Sequence, residues 1–207
     1  MPLFTVEKKR FESSSVLYRL RASGKNRMGH DEGYSQKSRP IEPPWKEDVP
    51  WYEANHTLSF LMDRYDNYLH ETRGIARDLR RKMVSLFPLL EKVCMATCTH
   101  CPDPCCFSAY AWFDFKDLLF ARLNDLPVPP AQLMTDRKMI CRYLGARGCT
   151  LERISRPWIC TWYLCPTQLG MLRADNACGE KAFFHETSTG IRGGRKRMET
   201  AFINETR

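Results

Sequence analysis

The spacing of the cysteines constrains this chain more than any other sequence feature. Eight of its ten cysteines form two groups of four, and 34 residues separate the two groups. The eight are Cys98, Cys101, Cys105, Cys106, Cys141, Cys149, Cys160 and Cys165. Isolated cysteines pack in cores as small apolar residues, whereas clustering at short intervals is typical of thiolates that must reach one ion together. The pattern therefore predicts that these eight cysteines bind metal.

The first group has the backbone of a metal-binding loop. Two residues separate Cys98 from Cys101, a spacing that brings two sulfurs to one ion without strain, and two prolines follow that disfavour a helix. Cys105 and Cys106 are adjacent, and adjacent side chains diverge. The pair therefore either feeds two metal centres, or supplies one ligand and one thiol that packs nearby or reacts.

The N-terminal sequence predicts a cytoplasmic protein. Acidic and basic residues interrupt the first ten positions, where a secretory signal needs a continuous apolar stretch. In a reducing compartment, clustered cysteines indicate metal binding or catalysis, and disulfides or isolated core thiols are the minor alternatives. A mean hydropathy of -0.47 and the lack of a long uncharged apolar run predict that no segment spans a membrane.

The chain is basic, with a formal net charge of +8. This charge treats every cysteine as a neutral thiol, so metal-bound thiolates would reduce it and weaken the argument for nucleic-acid binding. Six basic residues lie near the second cysteine group, against Glu152 alone, and are predicted to lower cysteine pKa values and stabilise bound thiolates. A solvated charged face is the alternative. The six are Arg137, Lys138, Arg142, Arg147, Arg153 and Arg156.

Apolar periodicity predicts a mainly α-helical fold with few strands. The clearest helix starts at Leu58, and Pro88 is expected to kink or end it. Further helices are predicted at 116–126, 131–138, 167–174 and 195–203. The glycines at positions 190, 193 and 194 are expected to separate the last two helices.

The domain organisation follows from the same patterns. We predict a small cysteine-rich, metal-stabilised domain with long loops, preceded by a long amphipathic helix and flanked by extensions. Serine, glycine and proline clusters favour a weakly structured N-terminal segment. The predicted boundaries are 1–54 for this basic extension, 55–97 for the helical segment, 98–166 for the metal-binding domain and 167–207 for a helical C-terminal extension.

The second cysteine group has the most distinctive sequence. It reads Cys141-Arg142-Tyr143-Leu144, Gly148-Cys149-Thr150-Leu151, Arg156-Pro157-Trp158-Ile159-Cys160 and Tyr163-Leu164-Cys165. With the first group, it resembles the zinc- or iron-chelating CxxCxxCC proteins, the YkgJ-like family, over about residues 94–166, although three residues rather than two separate Cys101 from Cys105. The resemblance implies metal chelation. Some larger relatives, such as flagellin lysine methylases, join this domain to methyl transfer.

The first functional hypothesis is an iron–sulfur protein in a redox or accessory role, acting with an unidentified protein partner. Trp158, Trp162 and Tyr163 lie between or beside the last two cysteines, where rings can exclude water from a cluster. Ordinary core packing explains these rings equally well. The wide separation of the two cysteine groups also favours a cluster over a single zinc ion.

The second hypothesis is a zinc-stapled module that binds a protein or nucleic acid. Zinc uses the same thiolates as a cluster, so the cysteine spacing does not distinguish the two metals. Basic residues of the N-terminal segment and of the C-terminal tail would contact the partner. The tail residues are Arg192, Arg195, Lys196 and Arg197.

Whether the chain is an enzyme is left open by its sequence. One thiol of the adjacent pair Cys105 and Cys106 could act as a nucleophile, but no histidine and carboxylate stand beside it at a recognisable spacing. His100, between the first two cysteines, is either a replacement ligand or an exposed loop residue.

Overall fold

The computed structural model describes residues 45–108, 111–135, 139–146, 148–173 and 178–207, and only the backbone of His100, Ser108 and Cys178. Within these residues the protein is mainly α-helical, as predicted, with a single sheet of two short strands. Most of the predicted N-terminal extension lies outside them. The predicted domain boundaries stay predictions, although the first described helix begins at Asp48, inside the segment expected to be weakly structured.

The stretch predicted as one helix from Leu58 belongs to two. Helix α1 (Asp48–Arg64) ends before a 3₁₀ turn (Asp66–Tyr68), and helix α2 (His70–Thr97) follows. Pro88 is predicted from the sequence to kink or end the helix. It does not end α2, which continues for nine residues beyond it. The proline removes one backbone hydrogen bond, but α2 buries apolar side chains on both sides of it, and this burial offsets the loss.

The last described helix, α7 (Cys178–Glu205), runs antiparallel to α2 and packs along it. At one end, the Glu205 carboxylate accepts a hydrogen bond from the backbone N–H of Thr72 at 3.3 Å, in the first turn of α2. At the other end, Lys92 Nζ lies 2.7 Å from Glu180 Oε1. A carboxylate at the N-terminus of α2 also opposes the positive end of its helix dipole.

Gly190, Gly193 and Gly194 lie inside α7, so the prediction that they separate two helices is wrong. Gly194 has a packing role. A Cβ at this position would stand 2.6 Å from Leu79 Cδ2 of α2, closer than two carbon atoms can approach. The missing side chain therefore lets the two long helices come together, which offsets the low helix propensity of glycine.

Short elements fill the region between the long helices. They are α3 (Cys105–Ser108), α4 (Phe115–Leu123), α5 (Trp158–Trp162), α6 (Pro166–Met171), β1 (Leu144–Gly145) and β2 (Gly148–Cys149). The predicted helices at 116–126 and 167–174 correspond to α4 and α6, whereas the one predicted at 131–138 is wrong over 131–135, its described part. None of the helices in the described ranges is both long and apolar enough to cross a membrane.

Candidate metal centre

Backbone hydrogen bonds bring the two predicted cysteine groups together. Cys105 and Cys106 begin α3, directly after the proline-containing loop. The N–H of Cys141 donates to the carbonyl oxygen of Cys106 at 3.1 Å, so the second group docks on the first. Pairing of β1 with β2 then places Cys149 opposite Leu144 and returns the chain toward Cys141. Two segments that are distant in sequence are thereby held side by side.

A third segment carries Cys160 into the same region on α5. Pro157 is the N-cap residue of α5, and the N–H of Cys160 donates to its carbonyl oxygen at 3.0 Å. The N–H of Trp158 donates to Asp117 Oδ1 at 2.9 Å in the protein interior. This bond fixes the start of α5, two residues before the cysteine.

Asp114, Asp117 and Arg195 form a buried ion-pair cluster, which we call the Arg195 cluster. The guanidinium lies 2.6 Å from Asp117 Oδ1 and 2.7 Å from Asp114 Oδ1. The two carboxylates also cap α4 through reciprocal bonds, in which the N–H of Asp117 donates to Asp114 at 2.9 Å and that of Asp114 donates to Asp117 at 3.0 Å. The cluster therefore connects α7 and α4 to the start of α5.

The Arg195 cluster corrects one prediction from the basic tail. Arg195 is only 5% exposed and both of its terminal nitrogens are paired, so it is not available to contact nucleic acid. Arg192, also in the predicted set, lies over the Trp162 ring at 5.9 Å from its centroid. The sequence gives no sign that one arginine in a basic run is buried, because its two carboxylate partners lie about 80 positions earlier.

In both carboxyls of the cluster, burial raises the pKa and the positive charge of Arg195 lowers it. At Asp114 burial alone would raise the pKa, but Arg195 and Lys116 outweigh it and lower the pKa to about 2. At Asp117 burial outweighs Arg195, and the neighbouring Asp114 adds to it, so the pKa rises to about 6. The two carboxyls share one guanidinium, and they titrate as a pair.

Five thiols from the three segments are near enough to influence one another's ionisation, and we call them the thiol pentad: Cys105, Cys106, Cys141, Cys149 and Cys160. The side chains of Cys105 and Cys106 share a hydrogen bond. Cys141 and Cys160 are near enough to Cys106 to raise its pKa. Cys149 has the same effect on Cys141 and on Cys160. The pentad thus joins the adjacent pair of the first predicted group to three cysteines of the second.

The thiols of the pentad hinder one another's ionisation. A hydrogen bond from Cys106 lowers the pKa of Cys105 to about 6, and the same bond, followed by burial, raises that of Cys106. Burial raises the pKa of Cys141, and also that of Cys160 although part of this residue is exposed. Without a cation, several thiolates so close together repel each other. A bound cation would remove this repulsion.

The pentad fits a thiophilic metal in its donor chemistry, although the side chains are not arranged as ligands. In the described residues, no three Cys, His, Asp or Glu side chains already stand in positions that could hold a metal ion. Soft thiolate donors are nevertheless the set that zinc and iron–sulfur clusters use. All nine cysteines with described side chains are free thiols, so none is committed to a disulfide.

A second thiol group lies where α2 ends. Cys94 and Cys98 are one helical turn apart, and the Nε2 atom of Gln168 lies 3.6 Å from Cys94 Sγ and 3.4 Å from Cys98 Sγ. Burial raises the pKa of Cys98, and the neighbouring thiols of Cys94 and Cys105 raise it further. Cys94 lies outside the set of metal ligands predicted from the sequence. Its spacing of four residues from Cys98 on a helix is the signal that could have included it.

The structure connects the other predicted ligands less directly to the pentad. Cys101 is exposed, and Cys165 is half-buried at the start of α6, where its N–H donates to Gln168 Oε1 at 3.1 Å. Neither joins the pentad through a sulfur contact in the described part of the chain. The side chain of His100 lies outside the described atoms, so its predicted choice between ligand and loop residue stays open.

The three described basic residues near the second group contact partners other than the thiols. Arg142 Nη1 lies 2.7 Å from Asp48 Oδ1, and Arg156 Nε donates to the Leu151 carbonyl at 3.0 Å. The guanidinium of Arg153 lies 5.9 Å from the centroid of the Phe87 ring. The remaining three, Arg137, Lys138 and Arg147, lie outside the described residues. The described arginines therefore stabilise the loops around the pentad rather than its thiolates.

Three kinds of comparison place the chain in no family. No protein-family model, curated protein or solved structure matches it. The resemblance to the CxxCxxCC proteins stays a prediction from the cysteine pattern, and the pentad is interpreted from its own geometry and chemistry.

Proposed function

We propose that this protein binds metal through the thiol pentad, most favourably as an iron–sulfur cluster in a redox or accessory role. One observation supports the proposal: five thiols come from three separate segments, two of which a backbone hydrogen bond holds side by side, and are near enough to affect one another's ionisation. Cysteine in a core is normally dispersed among apolar neighbours, whereas several thiols that would repel each other once ionised favour a shared cation.

Four of the five thiols would hold the metal centre, and only one of the two adjacent cysteines would be among them. Cys141, Cys149 and Cys160 come from the second group, and either Cys105 or Cys106 completes the set. An iron–sulfur cluster bound by them would supply one-electron transfer. The chain itself contributes the orientation of the ligands, because the Arg195 cluster fixes the backbone that leads to Cys160. A redox role also needs a partner protein that gives or takes the electron.

Zinc bound by the same thiols is the second candidate, as the staple of a binding module. The observation in its favour is the sparse secondary structure around the pentad, where the only described sheet has two residues in each strand. A structural zinc ion contributes folding energy to such loop-rich regions. In this case the partner would be a protein or a nucleic acid, and the metal would take no part in electron transfer.

Anaerobic purification of the full chain tests these two candidates together. We expect visible absorption that bleaches on reduction, with iron and acid-labile sulfide in the sample and both absent from Cys160→Ser. Cys178→Ser, which alters a cysteine outside the pentad, is the matched control and should keep its colour. A colourless protein with stoichiometric zinc would exclude the cluster, and a folded protein that takes up neither metal would exclude both candidates.

A further inference from the structure

We infer that Cys94, outside the motif, is a metal-binding thiol that acts as a pair with Cys98, and that Gln168 is the residue that positions this pair. The inference rests on the proposed function and extends it from the pentad to the end of α2. It also changes the composition of the binding set, because a helical residue joins the loop cysteines. The pair would take the same class of ligand, a thiophilic cation such as zinc or iron.

The geometry of α2 places both sulfurs on one face. Residues four positions apart stack one above the other on a helix, and Cys98 is the C-cap residue of α2 in helical conformation. Gln168 Nε2 lies within 3.6 Å of both sulfurs, and Thr97 Oγ1 lies 3.6 Å from Cys98 Sγ. Cys105 of the pentad is near enough to affect the pKa of Cys98. The pair therefore lies beside the proposed metal centre.

Gln168 faces the pair as a hydrogen-bond donor. It is 5% exposed, and its Nε2 lies 3.2 Å from Thr97 Oγ1 as well as close to both sulfurs. Its Oε1 accepts the N–H of Cys165, so the orientation of the amide is fixed with the nitrogen toward the thiols. The amide thus ties the start of α6 to the end of α2 through two predicted ligands.

The amide donor favours thiolates over thiols at this site, and it acts against the burial that favours the neutral Cys98 thiol. A neutral thiol is a weak acceptor, whereas a thiolate accepts charge-assisted hydrogen bonds that are about twice as strong. An amide with two N–H groups surrounded by three acceptors matches the hydrogen bonding that surrounds sulfur ligands in metal proteins. Cys98 is exposed and Cys94 is half-buried, so a cation can reach the pair from solvent. A packing role alone requires no donor between the two sulfurs.

Alkylation mapping tests the pair directly. The full chain, purified anaerobically with its metal, and the same protein stripped by a chelator are treated with N-ethylmaleimide, and each labelled cysteine is identified by mass spectrometry. We expect Cys94 and Cys98 to lose their labelling in the metal-loaded protein and to regain it after stripping. Reloading with zinc alone should restore the protection.

The possible results separate this inference from the proposed function. Metal uptake with protection of the pentad, but equal labelling of Cys94 in both samples, overturns the inference and leaves the proposed function standing. A folded chain that takes up neither zinc nor iron overturns both. Cys94→Ser should lower the metal content or weaken its retention, with Cys178→Ser as the matched control.

Variants of Gln168 test its positioning role. Gln168→Leu keeps the volume but removes the donor, and Gln168→Glu keeps the shape but places a negative charge against the thiolates. We expect each to weaken metal affinity by roughly 10–100-fold, as for other residues that orient ligands. A solely structural role would instead lower the melting temperature of the metal-free protein and leave affinity unchanged. That result would overturn the assignment of Gln168.

Discussion

The two long helices and the cysteine-bearing region between them are stabilised in different ways. Helices α2 and α7 pack along each other, and at Gly194 their interface depends on side-chain volume. The described residues of the two cysteine-bearing loops, 98–108 and 139–165, bury few apolar side chains, whereas α4, which lies between them in the sequence, is part of the core. The described organisation of these loops rests on individual polar contacts. The comparison shows that one chain combines an ordinary helical core with a region whose order is expected to depend on a cation.

Metal removal should have the largest effect of all the tests, and it should affect the two regions differently. Chelation under reducing conditions is expected to raise amide hydrogen exchange across residues 98–108 and 139–165 while leaving α2, α4 and α7 protected, because apolar burial needs no metal. Exchange measured by mass spectrometry before and after chelation tests this. Equal loss of protection in both regions would mean that they form one cooperative unit.

Among the single substitutions, replacing the arginine of the Arg195 cluster should lower the stability most. Arg195→Ala leaves two buried carboxylates without their partner, and we expect a loss of about 3–5 kcal/mol in the free energy of unfolding. Denaturant titration of the metal-loaded protein measures it. The neighbouring Lys196 is exposed, and Lys196→Ala should stay within about 0.5 kcal/mol of the parent. Similar losses in both variants would contradict the role of the cluster.

The same cluster predicts a pH dependence. The pKa of Asp117 is about 6 in the folded protein, above its ordinary value of 3.8, so its ionisation opposes folding as the pH rises from about 4 through 6. Its neighbours are Asp114, Arg195 and the Cys160 thiol. We expect this titration to lower stability by up to about 3 kcal/mol across that window.

Asp117→Asn supplies the matched comparison for this pH dependence. The variant cannot ionise at this position, so the decrease between pH 4 and 6 should be absent from its stability profile. Denaturant titrations of both proteins at several pH values measure the difference. Asp114 acts in the opposite sense, because its pKa of about 2 lies below the ordinary value of 3.8, so its contribution to stability is complete above about pH 4 and is lost as the pH falls from there to about 2. Parallel profiles for the two proteins would refute the assignment to Asp117.

Adding a single methyl group at the interface between α2 and α7 should have the smallest effect on stability. Gly194→Ala places a carbon 2.6 Å from Leu79 Cδ2, and Leu79 is buried, so we expect a net loss of about 1–2 kcal/mol despite the better helix propensity of alanine. At Gly190 the nearest atom to such a carbon is Lys82 Nζ at 3.9 Å. Gly190→Ala should therefore stabilise the protein by up to about 1 kcal/mol. Thermal unfolding of both variants tests the expected loss of stability for Gly194→Ala and the expected gain for Gly190→Ala.

The helical content could be predicted from the sequence because it depends on apolar periodicity, a local property. The break near Tyr65 and the continuation through Pro88 could not, since tertiary burial decides both. Likewise, glycines that usually interrupt a helix are tolerated where two helices approach closely, as at Gly194. Local patterns gave the fold class, and packing set the boundaries.

The candidate site could be predicted only as a set of residues. Cysteine spacing pointed to eight thiols, but the grouping of five of them depends on backbone contacts such as that between Cys141 and Cys106. Gln168 belongs to no spacing motif, and its contact with Cys94 becomes visible only when α2 and α6 meet. Arg195 was predicted to be exposed because the sequence shows its charge but not its distant partners.

The bond from Trp158 to Asp117 also has a consequence for the order of events during synthesis. Cys160 is translated before Arg195, so the carboxylate that anchors its backbone first lacks its positively charged partner. Until α7 docks, that anchor is incomplete. Insertion of the proposed metal should therefore follow the arrival of that helix, which would make metal loading a late step in the production of this protein.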